Sequence, residues 1–526
     1  MKNRDDLISI LPYLPLSLSS SSGLFWPPQI VEILKTLSLG PGQSGVTSGY
    51  ILFQAISSLR RSISHIFTYD KLATSSSDGY ALFFDNLISR EESRKWLGHV
   101  IPSMSNLLLR LPSLLEAHYH YSDILSAITR DQAITGLRLI ESQMSGIVFL
   151  GQELIGAFLV CSFFCLFPIA DRDEKNLPTI NFDQMFASVC GSNKENMEHK
   201  VRCIMNYFER LYNSMPTGTV SFERKVLSLE SSPRNVCYPK VDDWSNSLLP
   251  LCQFEAYNLG LIEDQARGAM EVDFSGQYFG GAALHTGSLQ EEIRFMINPE
   301  LIVGMLFFTA MNHNEAIEVV GAERFSDYTG FGFTFRFYGD YIDRRGMDLM
   351  GRRKTRIIAI DALCMPRMKQ YCLGYLLREV NKALCGFQEG FKFQQQHQQN
   401  TADIPSTSRV QRDKGKAKAS CLENVESISE GIATGNWGCG AFEGDPELKV
   451  VIQWLAASQA KRPFILYYTF GLDKLKNIEK ICERIIANGW TVGKLWEVVV
   501  EYSSKRLDGR ILDGFFTWFF TPPPTF

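Results

Sequence analysis

Residues 271–300 read EVDFSGQYFGGAALHTGSLQEEIRFMINPE, and the chain is best read outward from them. Asp273 closes a short strand-like run, and Gly280 and Gly281 permit a tight backbone path. Gln290, Glu291 and Glu292 then precede the apolar residues Ile293, Phe295, Met296 and Ile297. Two adjacent acids at that point have two explanations. One is a helix start, because Ser288 followed three residues on by Glu291 fits a capping box and the first turn favours acids. The other is chemical. A carboxylic acid of raised pKa, held by a glycine-shaped loop, can protonate the poor leaving oxygen of a glycosidic bond.

From about Val226 onward, short apolar runs rich in β-branched residues occur at Ala316–Val320, Arg356–Ile360 and Phe464–Phe470. They alternate with helical patterns such as Leu448–Ala460 and Leu472–Asn488, so the expected fold class is α/β, with a mixed sheet buried on both faces. Residues 1–225 read instead as a mostly helical accessory domain. Asn106–Leu115 and Ala133–Leu150 carry apolar residues at three- and four-residue spacing, and breaks fall at Ser17–Gly23 and Gly40–Gly49. The apolar run Leu154–Phe167 is shorter than the roughly 20 residues that span a bilayer, and reads as a buried core helix ended by Pro168. Between Gln388 and Glu430 the chain turns to QQQHQQN, then Pro, Ser, Thr and KGKAK, which predicts a disordered insertion. Its Lys414, Lys416 and Lys418 suit either a solvated loop or nuclear import.

With 526 residues, 45% of them hydrophobic, the chain is long enough for two cored domains. A net charge of −4 leaves no broad basic field for nucleic acid, so an anionic ligand would need local donors such as helix N-termini. Twelve cysteines without a CxxC pair, and His118 and His120 without matching ligands, argue against a metal site. Cys161 and Cys165, four residues apart in an apolar run, read as reduced core thiols. Acids and prolines interrupt the N-terminal residues MKNRDDLISILPYLPL, which excludes a secretory pattern and points to nucleus or cytoplasm.

Gly435, Gly438 and Gly440 lead into Asp445 and Pro446, an N-cap and first-turn pair. Exposed backbone N–H groups and a helix N-terminus there suit an anion, with Trp437 and Phe442 as bulk above it. Tyr328, Phe331 and Phe470 stand at strand-to-loop junctions, where a ring either packs in the core or stacks on a purine.

Taken together, these segments resemble the poly(ADP-ribose) glycohydrolases, most closely those of plants. The glycine run and Gln290-Glu291-Glu292 look like the family signature. LIED at Leu261–Asp264, NPELI at Asn298–Ile302, ERFSDYTGF at Glu323–Phe331, IIAIDAL at Ile357–Leu363, TGNWGCGAF at Thr434–Phe442 and YYTFG at Tyr467–Gly471 follow in the family's order. The resemblance implies a macrodomain over residues 226–526, with the insertion at about 388–430. It implies that Glu292 is the acid/base, that Glu291 binds ribose hydroxyls and that Asp273 supports the catalytic loop. Substrate contacts would come from Ile262, Glu263, Gly280, Gly281, Gln290 and Phe331, with Asn436, Gly438 and Gly440 around the diphosphate and Phe470 on the adenine. The implied reaction releases ADP-ribose by hydrolysis of ribose–ribose bonds, without metal or redox cofactor. Poly(ADP-ribose) and ADP-ribosylated proteins would be the partners, without direct DNA or membrane contact, in nucleus and cytoplasm and in the DNA-damage response.

Four positions depart from the family pattern. It has a third glycine at Ala282, asparagine at Gly276, tyrosine at Phe331 and glycine at Glu443. An Ala282 at positive φ would cost roughly 1–2 kcal/mol. Gly276 offers no amide, Phe331 no hydroxyl, and Glu443 sets a carboxylate beside a phosphate loop unless it points outward. These departures motivate an alternative, a macrodomain that binds ADP-ribose ends without cleaving them. Hydrolysis of single protein-linked ADP-ribose units fits the signature less well.

Overall fold

The computed structural model describes the chain except residues 2, 20–22, 70, 170–171, 193, 231–235, 266, 392–429 and 521–526. Most of the expected insertion, with Lys414, Lys416 and Lys418, lies outside the described residues.

Short strands β1 (Ser17–Ser19) and β2 (Gly23–Phe25) form a hairpin. The main sheet uses β3 (Ile134–Thr135), β4 (Gly146–Gly151), β5 (Thr219–Val226), β6 (Gln253–Tyr257), β7 (Met270–Asp273) and β8 (Glu315–Val320). A second hairpin, β9 (Ser326–Thr329) with β10 (Arg336–Asp340), stands apart from it. The sheet is completed by β11 (Arg356–Ala359), β12 (Ile432–Gly435) and β13 (Phe464–Tyr468). Among the described residues the order is β3-β4-β5-β8-β11-β7-β12-β13-β6. From β11 to β6 every pairing is parallel, so β11, β7, β12, β13 and β6 all end at one edge. Loops at the carboxyl ends of such strands are where open α/β sheets bind ligands.

Alternation along the strands explains the layers. Ile317 and Val319 of β8 and Ile357 and Ala359 of β11 join a core shared with the N-terminal helices, while Ala316 and Ile358 join the core on the opposite face. A sheet buried on both faces follows from that period of two. The first core runs from Leu7 through helix Gln152–Phe163 to Phe295 and Leu306. The helical part therefore packs directly on the element that carries Glu291 and Glu292.

Asn106–Leu115 lies within helix Ile101–Thr129, and the apolar run after Gln152 is a buried helix ending at Phe163. Cys161 and Cys165 are both buried, Cys165 just past that helix end. The helical reading of Ala133–Leu150 was wrong, because this segment holds β3 and β4. Gly146-Ile147-Val148-Phe149-Leu150 is buried throughout, and a short apolar run buried on both faces carries no period that separates strand from helix. These strands, with β5, extend the sheet into residues before 226. Leu472–Asn488 is helical only over Ile478–Ala487, after a 3-10 turn at Asp473–Leu475.

Candidate active site

Strand β7 sorts its side chains by face. Met270 and Val272 enter the second core, which leaves Glu271 and Asp273 on the other face, toward helix Gln290–Ile297. Glu271 is paired there with Arg294 and, at 2.9 Å, with Arg345. Asp273 has no such partner, and both its carboxylate oxygens are buried without a hydrogen bond. Burial pushes that carboxyl up to about 7, Arg294 opposing the rise and Glu292 adding to it.

Gln290 ties the helix to the strand. Its amide oxygen accepts from Phe274 N at 2.8 Å and its amide nitrogen donates to Val272 O at 3.1 Å. Helix and strand end are thereby locked, and the next two residues are aimed into the loop between them. Glu291 Oε1 accepts from Ser275 Oγ at 2.6 Å and Gly280 N at 2.8 Å, and Oε2 from Gly276 N at 3.1 Å. Burial first, and the Asp273 carboxylate second, raise the Glu291 carboxyl well above its ordinary value. Glu292 Oε1 accepts from Ala282 N at 3.2 Å and Oε2 from Leu289 N at 2.8 Å. The capping box expected from Ser288 and Glu291 does not form. Leu289 is the N-cap, Glu292 supplies the return bond, and Ser288 Oγ instead accepts from Asn196 at 2.9 Å.

Two glycines are required by space as well as by φ. At Gly280, φ is +92° and a Cβ would lie 2.8 Å from Met305 and Phe295 side-chain atoms. At Gly281, φ is +48° and a Cβ would lie 2.6 Å from Glu291 Oε2 and 3.0 Å from Glu292 Oε1. Gly281 is therefore laid against the two carboxylates and Gly280 against the core beneath them, and neither position has room for a side chain.

The other expected residues surround this centre. Ile262 is buried against Ala433, Leu466 and Tyr468. Glu263 is buried too, its carboxylate accepting from the Tyr328 hydroxyl and lying 4.0 Å from Arg294. Tyr328 is half-buried with its hydroxyl so engaged, its ring beside Phe335, which removes it as a free stacking face. Phe470, by contrast, is 50% exposed and Phe331 56% exposed. The Phe470 and Phe274 rings both approach Gly435 at the end of β12.

The loop after β12 turns back on itself through Gly444 N to Gly438 O at 2.9 Å. Gly438 has φ +73°, and Gly440 is exposed with open space around it. Asn436 bridges to the neighbouring loop, donating to Thr469 O at 3.0 Å and accepting from the Tyr467 hydroxyl at 3.2 Å. Asp445 caps helix Pro446–Gln459 as expected. Trp437 is not a cover for a ligand. It is fully buried, donates to Ile360 O at 2.9 Å and lies under Lys449, because its indole completes the second core.

Three of the four departures have a definite place in the geometry. Ala282 does not adopt a positive φ, so its methyl carries no backbone strain. Gly276 serves through its N–H, which Glu291 accepts, and has open space where a side chain would stand. Glu443 does adopt a positive φ, +56°, and is exposed.

Sequence reading missed Ser275, Gly287, Arg294, Asn196 and Lys200. Ser275 and Gly287 lie inside the signature stretch and were signalled only as small residues. Asn196 and Lys200 sit on helix Lys194–Asn213, nearly a hundred residues away, and carry no local signal.

Residues 241–477 match the family model for the macro-domain fold of poly(ADP-ribose) glycohydrolase, and residues 88–224 match the model for its helical domain. Poly(ADP-ribose) glycohydrolase 1 of Arabidopsis thaliana is 50% identical across 98% of this chain and 97% of its own length. Probable poly(ADP-ribose) glycohydrolase 2 of the same plant is 49% identical across 99% of both. Poly(ADP-ribose) glycohydrolase 1 of Caenorhabditis elegans is 32% identical over 60% of this chain and 36% of that protein.

Proposed function

The chain belongs to the poly(ADP-ribose) glycohydrolase family, and from that premise we propose that it hydrolyses the ribose–ribose O-glycosidic bonds of poly(ADP-ribose), releasing ADP-ribose, with Glu292 as acid and base. The observation that carries the assignment is the pair Glu291 and Glu292 in the first turn of a helix, fastened by N–H groups of one glycine loop at the sheet's carboxyl edge.

Protonated Glu292 donates to the leaving ribose oxygen as the bond from that oxygen to the anomeric carbon breaks. The positive charge that develops on the ring is met by the newly formed Glu292 carboxylate and by the substrate's own diphosphate. Water then adds to the anomeric carbon and returns a proton to Glu292. Glu291, held on its loop side, presents its remaining acceptor capacity to the ribose hydroxyls, and Phe470 offers a face to the adenine. Acid–base assistance of this kind contributes roughly 10²–10⁴-fold.

Near-full-length likeness to glycohydrolases favours hydrolysis over the alternative of binding alone. Of the departures, Ala282 adds no backbone strain. Chain-bearing ADP-ribosylated proteins are the partners of this proposal, and the net charge of −4 supports no DNA contact. A nuclear and cytoplasmic location and a part in the DNA-damage response complete it, resting on the family's substrate. Among the described residues no helix is long and apolar enough to cross a membrane.

The test is ADP-ribose release from purified poly(ADP-ribose) by the parent beside Glu292→Gln. Release by the parent and near silence in the variant, with ADP-ribose still bound, is the expected result. Turnover by Glu292→Gln would defeat the assignment.

A further inference from the structure

Helix Lys194–Asn213 of the helical part reaches the catalytic loop with two side chains. Asn196 Nδ2 donates to Ser288 Oγ at 2.9 Å. Lys200 is 1% exposed, and its Nζ donates to His285 O at 2.8 Å and to Gly287 O at 2.5 Å. These carbonyls belong to the limb of the loop that descends into Leu289, the N-cap whose N–H Glu292 holds. Gly287 also lies directly on Glu292, since a Cβ there would stand 2.8 Å from the glutamate's Cγ and Cδ. Lys200, Gly287 and Glu292 are therefore successive layers of one contact.

A lysine is an expensive choice for a buried helix face, because its ammonium loses hydration on folding. Two converging carbonyls offset part of that loss, and the nearby carboxylate offsets more. Burial lowers the Lys200 ammonium to about 7, with Glu292 pulling the other way. The groups that face it are Glu292 from helix Gln290–Ile297, Cys203 on its own helix and the loop residue His285, whose imidazole is lowered by burial and by Lys200 itself. Both carbonyls that Lys200 holds belong to the catalytic loop and not to its own helical part.

We propose that Lys200 is a positioning residue for the hydrolysis, holding the His285–Gly287 limb so that Glu292 meets the scissile bond. The inference rests on the assignment of Glu292 made above. It makes the helical part a working component of the site, in addition to a support for the sheet. Lys200 touches no substrate and acts through the loop, so its loss is expected in turnover more than in ligand affinity.

The experiment compares the parent, Lys200→Met and Glu292→Gln on purified poly(ADP-ribose). ADP-ribose binding is measured by calorimetry, folding by thermal melting and loop mobility by hydrogen exchange over residues 282–289. Lys200→Met keeps the side-chain length and removes the donors. The expected result is a fall in kcat of roughly tenfold to a hundredfold, ADP-ribose affinity within about threefold of the parent, and faster exchange in the loop. Parent-like kcat in a folded Lys200→Met, or unchanged loop exchange, would overturn the proposal. Should Lys200→Met not fold, Lys200→Gln decides, because its shorter neutral amide cannot reach both the His285 and Gly287 carbonyls. Lower kcat with faster exchange at 282–289 supports the proposal, and parent-like kcat and exchange overturn it. Failure of the underlying assignment reads differently. It would appear as turnover by Glu292→Gln or as an inactive parent, whereas the loop exchange of Lys200→Met bears on Lys200 alone.

Discussion

A methyl group on Gly287 would stand 2.8 Å from both Cγ and Cδ of Glu292, so this glycine and the proposed acid/base are packed backbone against side chain. The same methyl would also meet the Cβ of Ala282 at 2.8 Å. Gly287→Ala is therefore expected to displace Glu292. Overpacking of this kind costs about 1–3 kcal/mol in stability, and a shift of about 1 Å at the reacting group can cost on the order of a hundredfold in turnover. Steady-state kinetics beside a thermal melt checks both. Parent-like kcat would mean that the loop and Glu292 move together without loss.

Glu443 occupies left-handed backbone at φ +56° with its side chain exposed. Relief of that conformation is worth roughly 1–2 kcal/mol, while a glycine adds back about 0.4–1 kcal/mol through the freedom of the unfolded chain. Glu443→Gly should stabilise the protein by up to about 1.6 kcal/mol, the difference of those two terms. It should not weaken ADP-ribose binding, because it removes a carboxylate from the loop proposed to carry the diphosphate. Urea unfolding and calorimetry test the two halves. A loss of stability would show that the Glu443 side chain makes a contact that matters.

Asp273 and Glu300 give the fold a pH dependence of definite sign. Burial raises Asp273 to about 7 and Glu300 to about 8, both above their ordinary values of 3.8 and 4.5. For an acid raised in the folded state, the contribution is fully present below the ordinary value and is lost as pH rises through the folded one. Stability should thus decline between about 4 and 8 on their account. Asp273→Asn removes one of the two charges, so its melting temperature should gain on the parent at pH 8 and gain least at pH 5. A difference independent of pH would mean that Asp273 does not change its charge across this range.

Phe470 is half exposed at the end of β13, with φ +52° and its ring near Gly435. An exposed ring contributes little to the core, and alanine inherits the same backbone angle. Phe470→Ala should leave the melting temperature nearly unchanged. A base–aromatic stack is worth about 1–3 kcal/mol, so ADP-ribose should bind roughly 5- to 150-fold more weakly. Unchanged affinity by calorimetry would remove Phe470 from the adenine site.

Glu292 and Gln290 were singled out from residues 271–300 by the family resemblance, and the groups they hold are nearby in sequence. Gln290 reaches Phe274 and Val272, and Glu292 reaches Ala282 and Leu289. Strands β8, β11 and β13 were legible to within two residues at each end, since their β-branched runs sit between turn residues. Ala133–Leu150 was not, because burial on both faces erases the alternation that marks a strand. The capping box expected at Ser288 does not form, for a related reason. Ser288 had a second possible partner in Asn196, which no local pattern reveals.

By itself, then, the sequence determined the α/β class, the glycine-shaped loop and the two carboxylates beside it, all of them products of short-range periodicity and spacing. Only the tertiary structure decided that Trp437 belongs to the core, that Asp273 stands without a hydrogen bond and that Lys200 holds the loop from another helix. Each of those outcomes depends on which distant groups compete for a buried polar atom or a packed ring. That competition is resolved only when the chain closes on itself and water is excluded.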